Sequence, residues 1–248
     1  MARSQGDERS SARIDQRYYE TSGYFEEGGR HLLDPVSRFQ RYRIREVLKL
    51  CGDLNGNRAV DLGCGWGTIS FALAEDAEAV VGVDFAEASL RLCRSRHDLD
   101  RYPNLSFIQA DASRTGLPAS EWDLVVAADV IEHLYPTKTL DVYREAYRLL
   151  RPGGRLVIWT PAPTHILEWL RRHGVLRPDP THVDYKTLAR IHGEVEECGL
   201  RVVEARYAPS HLPVLSIIER VGQRWIRWLQ RRIAVVVIKP GGSIDRGM

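Results

Sequence analysis

Polar and apolar positions change their period several times along this chain of 248 residues. Residues 1–13 are polar and read as a loose segment. From 14 to 50 the spacing is helical: IDQRYYETSGYF, a break at Gly28-Gly29, then PVSRFQRYRIREVLKL, where Phe39, Tyr42, Ile44, Val47, Leu48 and Leu50 roughly follow one face. A turn-rich stretch, Gly52 to Asn57, closes this part. Short apolar runs then predict strands: RAVDLG, AVVGVD, LSFIQAD, WDLVVAADV and GGRLVIWTP. Helical patterns separate them: TISFALAEDA, AEASLRLCRSRH and TKTLDVYREAYRLLR. Strands apolar on both faces, alternating with helices, predict a parallel sheet covered on both sides.

The rhythm breaks after Pro163. An irregular insert, 164–185, is rich in aromatics and arginine, with HILEWLRRHGVLRP at its start. KTLARIHGEVEECGL reads as a helix with Gly199 as its C-cap, RVVEARYA as a sixth strand and RRIAVVVIKPG as a seventh. Between them lies a second insert, 209–231. There Val214, Ile217, Ile218, Val221, Trp225, Trp228 and Leu229 make an apolar helical stripe, and Arg220, Arg224, Arg227 and Arg231 a basic one. Two readings fit: a lid with its apolar stripe over a site, or a basic amphipathic helix on an anionic membrane surface. The expected organisation is an N-terminal tail with lid helices over 1–50, then one domain over 51–248 with cap inserts at 164–185 and 209–231. The tail GGSIDRGM reads as frayed.

Composition supports a packed core: 44% of residues are hydrophobic and 27% charged. A formal net charge of +2 argues against a nucleic-acid-coating protein. Of 35 basic residues the lysines are Lys49, Lys138, Lys186 and Lys239. Arginine suits fork-like contacts with carboxylates and phosphates, although a GC-rich coding sequence gives the same bias. Cys51, Cys64, Cys93 and Cys198 have neither CxxC nor zinc spacing and fit a reducing, cytoplasmic compartment. The N-terminus carries no apolar signal region, and the run Ile233 to Ile238 is far shorter than the roughly 20 residues of a membrane span.

Chemistry concentrates at strand ends. Val60-Asp61-Leu62-Gly63-Cys64-Gly65-Trp66-Gly67 joins a strand to a helix, where glycines let backbone approach a ligand. Asp84 follows at the next strand end, at a spacing that sets a carboxylate over a ribose. The glycines run GxGxG, not the GxGxxG that seats a pyrophosphate. Asp61 in front of them would repel a pyrophosphate and welcome a cationic amino group. Asp111, ending the third strand, can accept from an adenine amine. Alternatively, the glycines make a plain tight turn, and Asp84 and Asp111 are helix N-caps.

These residues resemble the class I S-adenosylmethionine-dependent methyltransferases of the small-molecule type, in layout the ubiquinone-type enzymes. VDLGCGWG looks like their motif I, VVGVDFAEASL like motif II, IQADA like motif III and DLVVAADVIEHL like motif IV, and RLLRPGGRLVIWTP like the segment around the fifth strand. The resemblance implies an α/β Rossmann-like fold with seven strands, mostly parallel with an antiparallel last strand, helices on both faces and a helical cap. It implies S-adenosylmethionine as cofactor. Asp61, Gly63, Cys64, Gly65 and Gly67 would hold its methionine part, Asp84 the ribose, Phe85 one adenine face, and Asp111 and Ala112 the adenine edge. Asp129 and Val130 would line the methyl-donor pocket.

The expected activity is methyl transfer to a small-molecule acceptor, with a hydroxyl oxygen favoured, in a biosynthetic role. His133 at the site mouth is the candidate general base, or else it packs against the sheet. His165, His182 and His211 lie in or beside the inserts and are candidate substrate contacts. Tyr18, Tyr19, Tyr24 and Phe25 are lid or packing residues. No metal is expected, because no HExxH-like spacing occurs. The arginine-bearing inserts point to an anionic or amphipathic acceptor, with peripheral membrane contact through 212–232. A nicotinamide oxidoreductase is opposed by GxGxG and Asp61, a catalytically dead binding module by the intact donor residues. Nucleic-acid methylation is opposed by ADVIEH in place of a (D/N)PP[YF]-type segment.

Overall fold

Side-chain alternation in the central strands decides how the sheet is covered. The computed structural model describes residues 16–22, 24, 37–96, 99–177 and 179–241. Its strands are β1 (Arg58–Leu62), β2 (Ala79–Asp84), β3 (Leu105–Gln109), β4 (Trp122–Ala128), β5 (Leu150–Pro161), β6 (Arg201–Ala208) and β7 (Arg232–Ile238). They form one sheet in the order β3-β2-β1-β4-β5-β7-β6. The pairs among β1 to β5 are parallel, and β7 runs antiparallel to both β5 and β6. This is the mostly parallel sheet with an antiparallel last strand that the sequence implies.

The helices are α1 (Gln16–Thr21), α2 (Arg38–Cys51), α3 (Thr68–Ala74), α4 (Glu87–Arg96), α5 (Pro136–Leu149), α6 (Ile166–Arg172), α7 (Leu188–Glu197) and α8 (Pro213–Gly222). In β4, Leu124, Val126 and Ala128 pack with Val47 and Leu50 of α2 and Ile69 and Leu73 of α3. Val125 and Ala127 turn the other way, onto Val142, Tyr143 and Ala146 of α5 and Ile191 and Val195 of α7. A period of two thus buries both faces, and each large apolar side chain so buried contributes about 1.5–3 kcal/mol. α2, which the sequence groups with the N-terminal tail, carries part of this core.

Order at the site begins inside the sheet. Gly82 of β2 leaves room where a Cβ would meet the Phe107 ring at 2.6 Å and Ser70 Oγ at 3.0 Å. Ser70 in turn donates to Asp61 Oδ2 at 2.6 Å and holds that carboxylate below the glycine turn. β1 and β4 sit side by side at the centre, and their connections diverge, so a crevice opens at their carboxyl ends.

The second insert departs from one continuous helix. α8 ends at Gly222 and a 3-10 turn forms at Arg227–Leu229. Leu229 folds back over Gly222, where a Cβ would collide with it. The loose segment 1–13, Phe25, the Gly28-Gly29 break and the tail beyond Gly241 lie outside the described residues. No helix among the described residues is long and apolar enough to cross a membrane.

Tyr143 is fully buried, and its hydroxyl has no hydrogen-bond partner among the described residues. Removing a desolvated, unpaired hydroxyl of unchanged shape is neutral or favourable. Tyr143→Phe is therefore expected to keep or raise the urea midpoint, and a loss above about 1 kcal/mol would show that the hydroxyl has a partner.

Candidate active site

One cavity of about 1340 Å³ lies over the carboxyl ends of β1, β2 and β4. A drug-sized ligand needs about 300–1,000 Å³, so two small molecules fit side by side. Its floor is the turn after β1. Gly63 has φ +65°, and a Cβ there would stand 2.7 Å from Val130 Cγ2. Glycine at this position lets the backbone of β1 close against the loop after β4, leaving Gly63, Cys64 and Gly65 facing the cavity. Asp61 is buried beneath this floor rather than in the cavity wall, and Gly67 caps α3 in the left-handed conformation.

Asp84 lies at the adjoining rim. Its Oδ2 accepts from the Gly65 N–H and its Oδ1 from the Ala86 N–H, both at 2.9 Å. Burial raises both Asp84 and Asp61 to about 6. Phe85 lines the same end of the cavity, with Tyr19 edge-on at 5.3 Å. Tyr24 tilts over Trp66 at 5.7 Å. α1, which carries Tyr19, is fastened by Glu20, whose carboxylate accepts from the Glu87 and Ala88 N–H groups at 2.7 and 3.3 Å. Ala112 and Asp111 close this side. Asp111 accepts from Ser113 N and Oγ and pairs with Lys138 at 3.1 Å. Partial burial opposes its ionisation, but these contacts hold its carboxyl below the usual range.

The opposite side is built around β4's end. Asp129 has φ 59°, and two arginines grip it: Arg43 Nε at 2.6 Å on Oδ2 and Arg232 Nη1 at 2.5 Å on Oδ1. Burial works against the Asp129 carboxylate, yet Arg232 and Arg43 outweigh it and hold the group below the usual range. Next comes the 3-10 turn Ile131–His133. Glu132 is buried and accepts from Thr160 Oγ1 at 2.9 Å. Burial first and the Asp129 charge second raise it to about 8. His133 Nδ1 lies 3.0 Å from the Thr181 carbonyl oxygen. A carbonyl oxygen accepts, so Nδ1 carries the proton and Nε2 keeps its lone pair. Burial lowers this imidazole to about 4, with the nearby His182 adding to the effect.

The first insert is laced to that turn. The Val183 and Asp184 N–H groups donate to the Glu132 carbonyl at 2.9 and 3.1 Å. Buried Lys186 donates to the Ile131 carbonyl at 2.7 Å and pairs with Asp184 at 3.0 Å. His182 reaches the cavity, its ring 4.9 Å from His133 and its Nδ1 2.9 Å from Tyr185 Oη. His165 also reaches it, as the N-cap of α6, with Nδ1 accepting from the Leu167 N–H. His211 does not line the cavity and packs against the Phe39 and Tyr42 rings.

Of the residues singled out in the sequence, the cavity brings together Gly63, Cys64, Gly65, Asp84, Phe85, Asp111, Ala112, Asp129, Val130, His133, His165 and His182. Sequence reasoning missed Arg43, Arg232 and Thr181, which line it too, and placed Arg231 only on the basic stripe of the second insert. The arginine-rich composition was the one trace of Arg43 and Arg232; Thr181 left none. Sequence reasoning also missed that Glu132, His133 and His182 offer ligand atoms within 4.8 Å of one another, a group able to hold a metal ion. Sequence spacing cannot disclose a set drawn from two segments some fifty residues apart.

The residues at the β1 and β2 end would fit S-adenosylmethionine: a cradle with no Cβ at Gly63, the rim carboxylate of Asp84 and flanking aromatics. A family model for a methyltransferase domain matches residues 59–154. The ubiquinone biosynthesis O-methyltransferase of Bordetella avium is 30% identical over 121 residues, 48% of this chain and 49% of that protein. The demethylmenaquinone methyltransferase of Lactococcus lactis is 32% identical over 123 residues, 48% of each chain. The chain thus aligns with about half the length of these curated relatives. Among solved structures, the methyltransferase bound to the Haloferax volcanii Trm112 activator superimposes with a TM-score of 0.66 at 16% identity, covering 91% of this chain and 98% of that one, which is a likeness of fold. Residues 59–154 thus match a methyltransferase domain, a match that implies S-adenosylmethionine as the cofactor, and the fold is like that of solved methyltransferases.

Proposed function

We propose that this protein transfers a methyl group from S-adenosylmethionine to a hydroxyl oxygen of a small, amphipathic acceptor bearing an anionic group. The observation that carries the reading is one cavity with a glycine-and-carboxylate rim at one end and a neutral, oriented histidine among arginines at the other. Bound S-adenosylmethionine supplies a methyl group on sulfonium, already activated for displacement. The chain's own task is then mainly alignment, which supplies up to about 7–11 kcal/mol of a barrier.

In this reading Gly63, Cys64 and Gly65 seat the methionine portion, with Asp61 and Gly67 fixing the turn from below and behind. Asp84 accepts from the ribose hydroxyls, Phe85 covers an adenine face, and Asp111 and Ala112 meet its edge. Asp129 and Val130 form the wall beside the methyl group. α1, through Tyr19, excludes water from the donor. His133 Nε2 takes the acceptor's proton, while the Thr181 carbonyl keeps the ring in the tautomer that can accept it. His165 and His182 contact the acceptor.

Charge supports the anionic acceptor. Arg43 and Arg232 share the single carboxylate of Asp129, which leaves that cluster net positive, and Arg171 pairs with Glu168. Arg231 lines the cavity without an ion-pair partner among the described residues, and burial lowers its pKa. An acceptor carboxylate or phosphate would offset that desolvated charge. One relative named as a ubiquinone biosynthesis O-methyltransferase and another as a demethylmenaquinone methyltransferase make an aromatic, quinol-like compound the first acceptor to assay.

Asp84→Ala is expected to weaken S-adenosylmethionine binding at least about tenfold by calorimetry while leaving circular dichroism unchanged. In the unaltered protein, donor affinity should fall as pH drops through about 6, where Asp84 and Asp61 gain their protons and lose acceptor capacity. Flat affinity from pH 8 to about 5 would contradict their role. For the base, His133→Ala should lower kcat by about 100-fold or more with donor affinity unchanged. Equal turnover in that variant would remove His133 from the reaction.

A further inference from the structure

α8 is turned inside out. Its acidic residue, Glu219, is 0% exposed. There its carboxylate accepts from the Ser210 N–H and lies 3.5 Å from His165 Nε2. The apolar side faces away from the protein: Val214 is 73% exposed, and Ile217, Ile218 and Val221 are exposed beside it. Trp225, 76% exposed, and Trp228 continue the surface past the helix end. An amphipathic helix of a globular protein normally shows the core its apolar stripe. So many large apolar side chains in one place mark a contact surface.

The surface extends across both inserts. Trp228 stacks on Trp169 of α6 with ring centroids 6.4 Å apart. Exposed Arg220, Arg224 and Arg227 are interleaved with the apolar positions, and none has an ion-pair partner among the described residues. The sole acidic residue of the stretch 212–228 is the buried Glu219. A second copy of the same face would therefore set arginine against arginine. Tryptophan with unpaired arginine around an exposed apolar stripe matches the chemistry of a bilayer interface, where rings sit at headgroup level and guanidinium groups meet phosphates.

We propose that the face formed by α8, Trp225, Trp228 and the edge of α6 docks the protein on an anionic lipid bilayer. The same inserts give His165, Arg171 and Arg231 to the cavity wall, so the docked face and the acceptor side share their elements. The inference stands on the exposed surface and does not depend on the acceptor reading.

The test is co-sedimentation of the full chain with vesicles of phosphatidylcholine alone or with added phosphatidylglycerol, read alongside tryptophan emission. Binding with a blue shift is expected on the anionic vesicles, released by high salt and much weaker on the neutral ones. The triple variant Arg220→Ala, Arg224→Ala, Arg227→Ala should lose about tenfold or more in partitioning, and the pair Ile217→Glu, Val221→Glu should lose as much. Donor affinity by calorimetry checks that each variant keeps its fold. Failure of the unaltered chain to sediment with anionic vesicles overturns the proposal. So does equal binding to neutral vesicles, undiminished binding of both folded variants, or a dimer in solution abolished by the Ile217 and Val221 changes without any lipid binding.

Discussion

A buried carboxylate joins the two loops that build the β1 and β2 end of the cavity. Asp84, at the end of β2, accepts from the Gly65 N–H in the turn after β1 and from the Ala86 N–H in its own loop. Ser89, at the start of α4, closes the knot by donating to the Gly65 carbonyl. Two backbone donors would otherwise be orphaned, and a charge would otherwise be buried without partners. The arrangement satisfies all three while leaving the glycine turn open to a ligand. Beneath it, Ser70 and Asp61 make a second tie that Gly82 leaves room for. Side-chain hydrogen bonds from Asp84, Ser89 and Ser70 thus tie this end of the cavity together.

The other end rests on charge pairing over long sequence distances. Asp129 fixes Arg43 from α2 and Arg232 from β7 at one point, so three remote segments meet where β4 ends. That clamp sets the position of the turn carrying Glu132 and His133. The first insert is then held by the Glu132 and Ile131 carbonyls and by the Thr181 contact to His133. A buried lysine serves here as a tether: unpaired it would cost several kcal/mol, and with Asp184 and a carbonyl it fastens the cap. Glu219 does the same for the second insert, and the consequence is an outward apolar face on α8.

Sequence legibility follows the range of the interactions. The glycine turn, Asp84 and Asp111 were readable because a strand, a turn and a helix in direct succession dictate them. Both-face burial of the strands was readable because their apolar runs are continuous. Arg43, Arg232 and Lys186 were not, since their partners lie 86, 103 and 55 residues away. Asp61 sits one layer below the cavity because Ser70 captures it, a contact between side chains that motif spacing does not encode. His211, chosen for its place beside an insert, is drawn to the Phe39 and Tyr42 rings instead. For α8, periodicity disclosed an apolar face and left open which way it points. The burial of one glutamate decides that.

In the proposed function S-adenosylmethionine seats on the turn after β1 and the loop after β2, with the acceptor at the other end of the same cavity. Amide hydrogen exchange with and without S-adenosylmethionine tests it most directly. Slowed exchange is expected at Cys64, Gly65, Phe85 and Ala86 and in α1, with α8 unchanged. Protection confined to other segments, or none at saturating ligand, would contradict it.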